Sequence, residues 1–305
     1  MSKPINVESF KGIFTPILMP ITNDYDGVID VPRLRRHVSE IIERGVDGIL
    51  AFGSNSEFYM FDDGEMIEAT KEIIDEAAGR VPVMFGVGHI RTSKAVALAK
   101  RAAELDIDAI SVLQPMFIQP TKPALYHHFK AVADAVPDTA VLIYDNPGRA
   151  GYPIGIPTIV KLAHDVDNIV GIKDSSGNIT NLQELVRQTS DIDFKVFAGK
   201  DTVVFAGFCC GASGAVCSTA NIYPELVCGI YDKFAAGDYE GARENQFKLN
   251  PIRNSQDAAS FPAATKDMAN LMGMEAGPSV LPTEATDGAA LEGMVKAMRD
   301  GGYLE

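Results

Sequence analysis

Lys173 follows the apolar run Asn168-Ile169-Val170-Gly171-Ile172. A lysine at the end of a buried strand is desolvated, and desolvation favours the neutral amine. A neutral amine attacks a ketone and forms a Schiff base. The protonated imine is then an electron sink. It stabilises a carbanion or enamine at the adjacent carbon and so permits a carbon–carbon bond to break or form. A competing reading pairs the Lys173 ammonium with Asp174 or another carboxylate at the rim. Tyr144 closes a second run, Ala140-Val141-Leu142-Ile143. A phenol beside a cationic imine shuttles protons to and from a substrate oxygen; the plainer alternative is a packed aromatic hydrogen-bonded to backbone. Ser54 and Asn55 stand in a glycine-preceded turn ahead of a helical stretch. Backbone N–H groups at such a turn bind carboxylates, although Ser and Asn also cap helices without any ligand. Glu57 reads as a structural acceptor.

These residues need elements to hold them. Short apolar runs begin at Gly12, Gly48, Val81, Ala109, Ala140, Asn168, Phe194 and Gly214, and amphipathic stretches follow the first four, over 31–43, 63–78, 93–105 and 122–136. Runs of this length and β-branched content read as strands buried on both faces. Alternation with helices predicts βαβ units and a parallel sheet. Eight units in the first 222 residues fit a closed (β/α)8 barrel, whose catalytic residues sit at the carboxyl ends of the strands. The runner-up is an open doubly-wound sheet, but Gly86-Val87-Gly88 continues as His89-Ile90-Arg91 and leaves its phosphate fingerprint incomplete. After Ser218 the alternation stops. Stretches over 224–235, 239–249, 258–272 and 288–298 read as helices, so residues 1–222 are expected to form the barrel and 223–305 a helical cap.

Composition narrows the class. The chain has 305 residues, 46% hydrophobic and 22% charged, which is ordinary for a globular protein. No run approaches the ~18–20 apolar residues that span a bilayer, and Met1 to Phe10 has no apolar signal core. A net charge of −14 repels phosphate backbones, so no nucleic-acid or membrane partner is expected. Cys209, Cys210, Cys217 and Cys228 lack the paired spacing of a zinc site and read as free thiols of a reducing cytoplasm. The five histidines form no H-x-x-x-H pattern, so no metal is expected.

The three strand ends together resemble a family. Gly53-Ser54-Asn55-Ser56-Glu57 resembles G-[TS]-x-G-E, Tyr144-Asp145-Asn146-Pro147 resembles Y-N-x-P, and Gly171-Ile172-Lys173-Asp174 resembles G-[IV]-K-[DE]. Their order and spacing are similar to the dihydrodipicolinate synthase / N-acetylneuraminate lyase superfamily of class I aldolases. The resemblance implies a (β/α)8 barrel with a C-terminal helical region, assembled as a homotetramer. It implies pyruvate, or the pyruvoyl half of a 2-keto acid, held as an imine on Lys173, with Tyr144 as proton shuttle. Ser54 and Asn55 would then contact the keto-acid carboxylate. The Val216 carbonyl would orient Tyr144 or ligand, and no cofactor would be needed. Arg149, in Pro147-Gly148-Arg149-Ala150-Gly151, resembles the synthase segment P-x-R-x-G, where the arginine receives a carboxylate at the pocket entrance.

Several positions depart from the pattern. Ser56 replaces a glycine, Asn55 a hydroxyl residue and Asp145 an asparagine. Where the synthase branch reads T-P-Y-Y this chain has Gln114-Pro115-Met116-Phe117. In that branch the second tyrosine reaches across a subunit interface to complete a hydroxyl relay, and Phe117 has no hydroxyl to bring to the site. The tail Gly277-Pro278-Ser279-Val280-Leu281-Pro282 also lacks R-x-P. The expected activity is therefore a pyruvate-type class I lyase acting on a 2-keto-3-deoxy sugar acid or related compound. The alternatives are dihydrodipicolinate synthase itself, a 2-keto-3-deoxy acid dehydratase, and a non-catalytic barrel that binds a keto acid.

Overall fold

The computed structural model describes residues 5–305. The sequence reading of the N-terminus falls partly outside them, at positions 1–4. Eight strands form one closed parallel barrel in chain order: β1 (Gly12–Pro16), β2 (Gly48–Ala51), β3 (Val83–Val87), β4 (Ala109–Leu113), β5 (Ala140–Asp145), β6 (Ile169–Asp174), β7 (Lys195–Ala198) and β8 (Gly214–Val216). Pairing of Gly12 with Gly214 and Ile13 with Ala215 closes the ring, which settles the barrel over the open sheet.

The intervening helices are α1 (Val31–Glu43), α2 (Asp63–Ala77), α3 (Thr92–Ala103), α4 (Lys122–Asp134), the single turn α5 (Pro147–Ala150), α6 (Ile156–Asp165), α7 (Ile179–Gln188) and α8 (Val204–Cys209). Helices α6, α7 and α8 are not among the stretches read as helical from the sequence, and at ten, ten and six residues they are shorter than α1 to α4. Helix starts follow local chemistry. Asp30 accepts from the Arg33 N–H ahead of α1, and Asp62 with Glu65 forms a capping box ahead of α2.

Two apolar layers result. Inside the barrel Phe14, Leu50, Met84, Leu142, Phe197 and Val216 pack together, with Phe14 and Phe197 edge to face at 5.3 Å. The layer fits because large residues face small ones. A Cβ on Gly48 would fall 2.2 Å from the Phe14 ring, so only glycine leaves room there. Burying each such phenylalanine contributes about 1.5–3 kcal/mol. The outer layer lies between strands and helices and is continuous around the ring.

Beyond β8 the chain is helical: α9 (Pro224–Ala235), α10 (Tyr239–Ser255), α11 (Ala263–Leu271) and α12 (Gly288–Asp300). Helix α9 packs on β1 and α8. Helix α10 runs past the expected end at residue 249, carrying Pro251 inside it. Helix α11 starts at Ala263 instead of residue 258, because residues before a proline disfavour helical backbone and Pro262 follows Ser260-Phe261. No described helix is long and apolar enough to cross a membrane.

Candidate active site

Tyr144 and Lys173 face each other across the β5–β6 pair, in direct register at the carboxyl ends of the two strands. Side chains alternate along a strand. Tyr144 and Lys173 therefore share the lumen side, and Asp145 and Asp174 share the other. Lys173 Nζ lies 4.1 Å from the Tyr144 ring centroid. Lys173 is 5% exposed. Among the described residues no carboxylate comes within ion-pair distance of its amine, and Asp174 instead accepts the Ser176 N–H at 2.9 Å. The reading that pairs Lys173 with Asp174 is thus corrected, and the alternation of the strand is the reason.

The lysine opens into a cavity of about 240 Å³ lined by Ser54, Asn55, Tyr144, Arg149, Lys173 and Val216 among others. The structure brings together every sequence-predicted site residue except Phe117. That residue is 95% exposed on a left-handed backbone (φ 69°) after β4, so its ring points into solvent and does not line the cavity. Phe117, expected among the substrate-binding residues, does not line the cavity of its own chain.

The Ser54–Ser56 turn is a single 3-10 turn after β2, with all three residues buried. Ser54 Oγ lies 3.4 Å from the Tyr144 hydroxyl. The Asn55 side-chain oxygen is buried without a hydrogen-bond partner, an open position for a polar group of a ligand. Ser56 fits where the family has glycine because its hydroxyl donates to the Ile17 carbonyl at 2.5 Å, pinning the turn to the end of β1. Glu57 holds the turn from the other side. Its Oε1 accepts the Val280 N–H at 2.9 Å and its Oε2 lies 2.6 Å from Lys266 Nζ. Lys266 is fully buried and also donates to the Pro278 carbonyl at 2.8 Å. Burial, opposed by the Glu57 charge, holds its ammonium below the ordinary lysine value. The structural role expected for Glu57 therefore has a definite partner in the tail. Nothing in the helical pattern of α11 marks Lys266, since one lysine among alanines reads as a solvent-facing position.

Burial raises the Tyr144 phenol, but the Lys173 charge and hydrogen bonding from Ser54, Asn146 and Ser175 outweigh it, and the net shift is downward. The far wall comes from residues that sequence reasoning missed. Asp201, after β7, accepts from Thr219 N–H at 2.8 Å, Thr219 Oγ1 at 2.6 Å and Ser218 Oγ at 3.2 Å. Arg253 of α10 approaches Asp201 to 3.9 Å and pairs with Asp257 at 2.8 Å. Phe261 covers Arg149, whose guanidinium carbon stands 4.4 Å from the ring centroid. Apart from Lys173, the cations Lys200, Arg149 and Arg253 share the cavity with the carboxylates Asp201 and Asp257. In a chain of net charge −14 this local excess of cations marks where an anionic substrate is drawn. Among the described residues no group of three or more His, Cys, Asp or Glu side chains is placed to hold a metal ion.

A closed (β/α)8 barrel with a lysine and a tyrosine at adjacent strand tips is the frame of a barrel enzyme, and the sequence comparison gives its class as a lyase. The sequence matches the Dihydrodipicolinate synthetase family over residues 9–298, and the chain belongs to that family of class I aldolases. It is 33% identical over 275 residues to the 4-hydroxy-tetrahydrodipicolinate synthase of Methanospirillum hungatei, covering 90% of this chain and 94% of the relative. It is 34% identical over 290 residues to the enzyme of the same name from Trichlorobacter lovleyi, covering 94% and 98%. Among solved structures, the dihydrodipicolinate synthase of Aquifex aeolicus superposes with a TM-score of 0.91 at 27% identity, covering 96% of this chain and 99% of that one. The chloride-inhibited enzyme of Acinetobacter baumannii, complexed with pyruvate, superposes with a TM-score of 0.91 at 30% identity, covering 96% and 99%.

Proposed function

We propose that the chain joins pyruvate to an aldehyde through a Schiff base on Lys173, and that the aldehyde is aspartate semialdehyde, making it a 4-hydroxy-tetrahydrodipicolinate synthase. The observation that carries the chemistry is the buried Lys173 amine, free of a carboxylate partner and 4.1 Å from the Tyr144 ring. The choice of aldehyde is supported by the shared name of the curated relatives. It is also supported by Arg149 at the cavity mouth, suited to a second carboxylate.

The proposed steps use the residues that line the cavity. The Ser54–Asn55 turn holds the pyruvate carboxylate and aims its ketone at Lys173. The amine adds to the ketone carbon, and Tyr144 passes a proton to the departing oxygen, which leaves as water. Loss of a methyl proton from the imine gives an enamine, whose carbon attacks the aldehyde. The amino group of the adduct then attacks the imine carbon, which closes the ring and expels the Lys173 amine.

A second reading, aldol cleavage of a 2-keto-3-deoxy sugar acid, is favoured by two observations. Phe117 brings no hydroxyl, and Ser175, Asp201, Ser218 and Asp257 line the cavity with donors and acceptors that suit a hydroxylated chain. A dehydratase would use the same imine to expel water. Borohydride trapping with pyruvate, followed by product analysis with aspartate semialdehyde and a panel of 2-keto-3-deoxy acids, separates these readings. A Lys173 adduct with turnover of the semialdehyde supports the synthase, and turnover of a sugar acid alone replaces it with the second reading. No adduct from folded protein leaves only a binding barrel.

The assembly belongs to the same proposal. Exposed Tyr59, Ile90, Phe117 and Ile118 fit a surface covered by a second copy in a homotetramer. The four free cysteines fit a reducing cytoplasm. The division at residue 222 is one of function, with the imine-forming strands before it and the cover after it. Val227, Cys228, Ile230 and Leu249 of the cover belong to the same apolar cluster as the barrel helices, so the two parts fold together.

A further inference from the structure

Gln114, Asp145 and Asn146 lie on two different strand ends, and the structure joins them into one hydrogen-bonded cluster behind Tyr144. Gln114 is fully buried. Its Nε2 donates to Asp145 Oδ1 at 2.8 Å and to the Tyr152 carbonyl at 3.2 Å. Its Oε1 accepts the Asn146 backbone N–H at 3.0 Å. Asp145 Oδ1 also accepts the Ile154 N–H at 3.3 Å, and the Asp145 carbonyl accepts the Ser175 N–H at 2.8 Å. The strand end is therefore fixed on both sides. At its tip Asn146 Nδ2 donates to the Tyr144 hydroxyl at 2.9 Å, shorter than the 3.4 Å contact with Ser54.

We propose that Asn146 is a positioning residue for Tyr144: its amide N–H fixes the phenol oxygen and favours its ionised form, and Gln114 with Asp145 hold that amide in place. The inference rests on the reading of Tyr144 as the proton-transfer group. When the Tyr144 proton moves to the carbinolamine oxygen, the C–O bond breaks with its electron pair, water leaves, and the nitrogen lone pair closes the iminium. The phenolate that remains keeps a donor in Asn146 until it takes a proton back. A hydrogen bond to a charged oxygen is stronger than one to a neutral one, so the contact stabilises the phenolate more than the phenol. Phe117 brings no hydroxyl to this oxygen, and the amide supplies a donor from the same strand instead.

The test uses two readouts that need no aldehyde. The first is ultraviolet titration of Tyr144, taken as the difference from Tyr144→Phe. The second is exchange of pyruvate methyl protons for deuterium, which reports imine and enamine formation alone. Lys173 is the titratable group against the ring, with Arg149, Lys200, Asp201, Arg253 and Asp257 around the cavity. All stay constant across the variants. Asn146→Ala is expected to raise the Tyr144 titration by about one pH unit, the size of one hydrogen bond to a charged group. It should slow exchange about tenfold with the KM for pyruvate little changed. Asn146→Asp, which replaces the donor with an acceptor, should shift the titration at least as far, and Gln114→Leu should shift it part of the way. If Asn146 instead accepted from the phenol, Asn146→Ala would lower the Tyr144 titration, overturning the proposal. An unchanged titration in folded Asn146→Ala would overturn it equally. If wild-type protein neither exchanges pyruvate protons nor gives a borohydride adduct, the imine reading itself fails, a result separate from either of these.

Discussion

In the proposed mechanism Lys173 and Tyr144 do different work although they touch. Lys173→Ala removes the nucleophile and little core volume, so turnover and the borohydride adduct are expected to vanish while the melting temperature changes little. Tyr144→Phe keeps the ring against the amine and removes only the proton, so kcat is expected to fall by about 10²–10⁴. A rate unchanged by that substitution removes Tyr144 from the chemistry. Asp145 makes a separate prediction about pH. Burial pushes its carboxyl up to about 6, opposed by hydrogen bonds from Ile154 and Gln114. A carboxyl raised in the fold binds its proton more tightly there than in the unfolded chain. Its charge therefore costs stability, a cost that is absent below about pH 4 and complete above about pH 6. Asp145→Asn should stabilise the protein by about 2–3 kcal/mol at pH 7.5 and by nothing at pH 3.5. Denaturant melts at the two pH values check this, and an equal effect at both would show that the carboxyl is not raised.

At the scale of elements, the turn after β2 depends on a helix far from it in sequence. Glu57 has a left-handed backbone (φ 55°) and its carboxylate is fully buried, so the turn is held by Lys266 of α11 and the Val280 N–H. Removing one partner of a buried pair leaves the other charge uncompensated, at a cost of about 3–5 kcal/mol. Lys266→Met should destabilise by that amount. Adding Glu57→Gln should recover much of it, because the orphaned charge is gone. The surviving single variant should also show a raised KM for pyruvate, since the turn proposed to hold the carboxylate is loosened. A single variant as stable as the wild type would mean that the pair does not hold the turn. The turn motif itself is legible as sequence, but its anchor is not. Residues 57 and 266 carry no local signal of each other, and only the packing of α11 over the barrel brings them together.

For the whole molecule, the exposed ring of Phe117 is the feature that a single chain leaves unexplained. It is 95% exposed beside the exposed Ile118, and burying such a ring contributes about 1.5–3 kcal/mol. Phe117→Asp is expected to shift the protein toward smaller species in light scattering coupled to size exclusion, with the barrel still folded. A wild-type chain that runs as a monomer at micromolar concentration would sink the proposed tetramer. The sequence by itself determined eight βα units around a parallel sheet, because eight buried β-branched runs must hide both faces, and the β1–β8 pairing closed them into a barrel. It also picked out Lys173, Tyr144 and the Ser54–Asn55 turn as residues that line one cavity, because strand ends are readable where an apolar run meets a polar residue. The tertiary structure alone decided that Arg253 and Phe261 of the tail wall the cavity, and that Asn146 reaches the phenol. Those relations join residues on different elements, or a strand residue to the segment beyond its end. Local periodicity says which face a side chain takes but not what waits for it there.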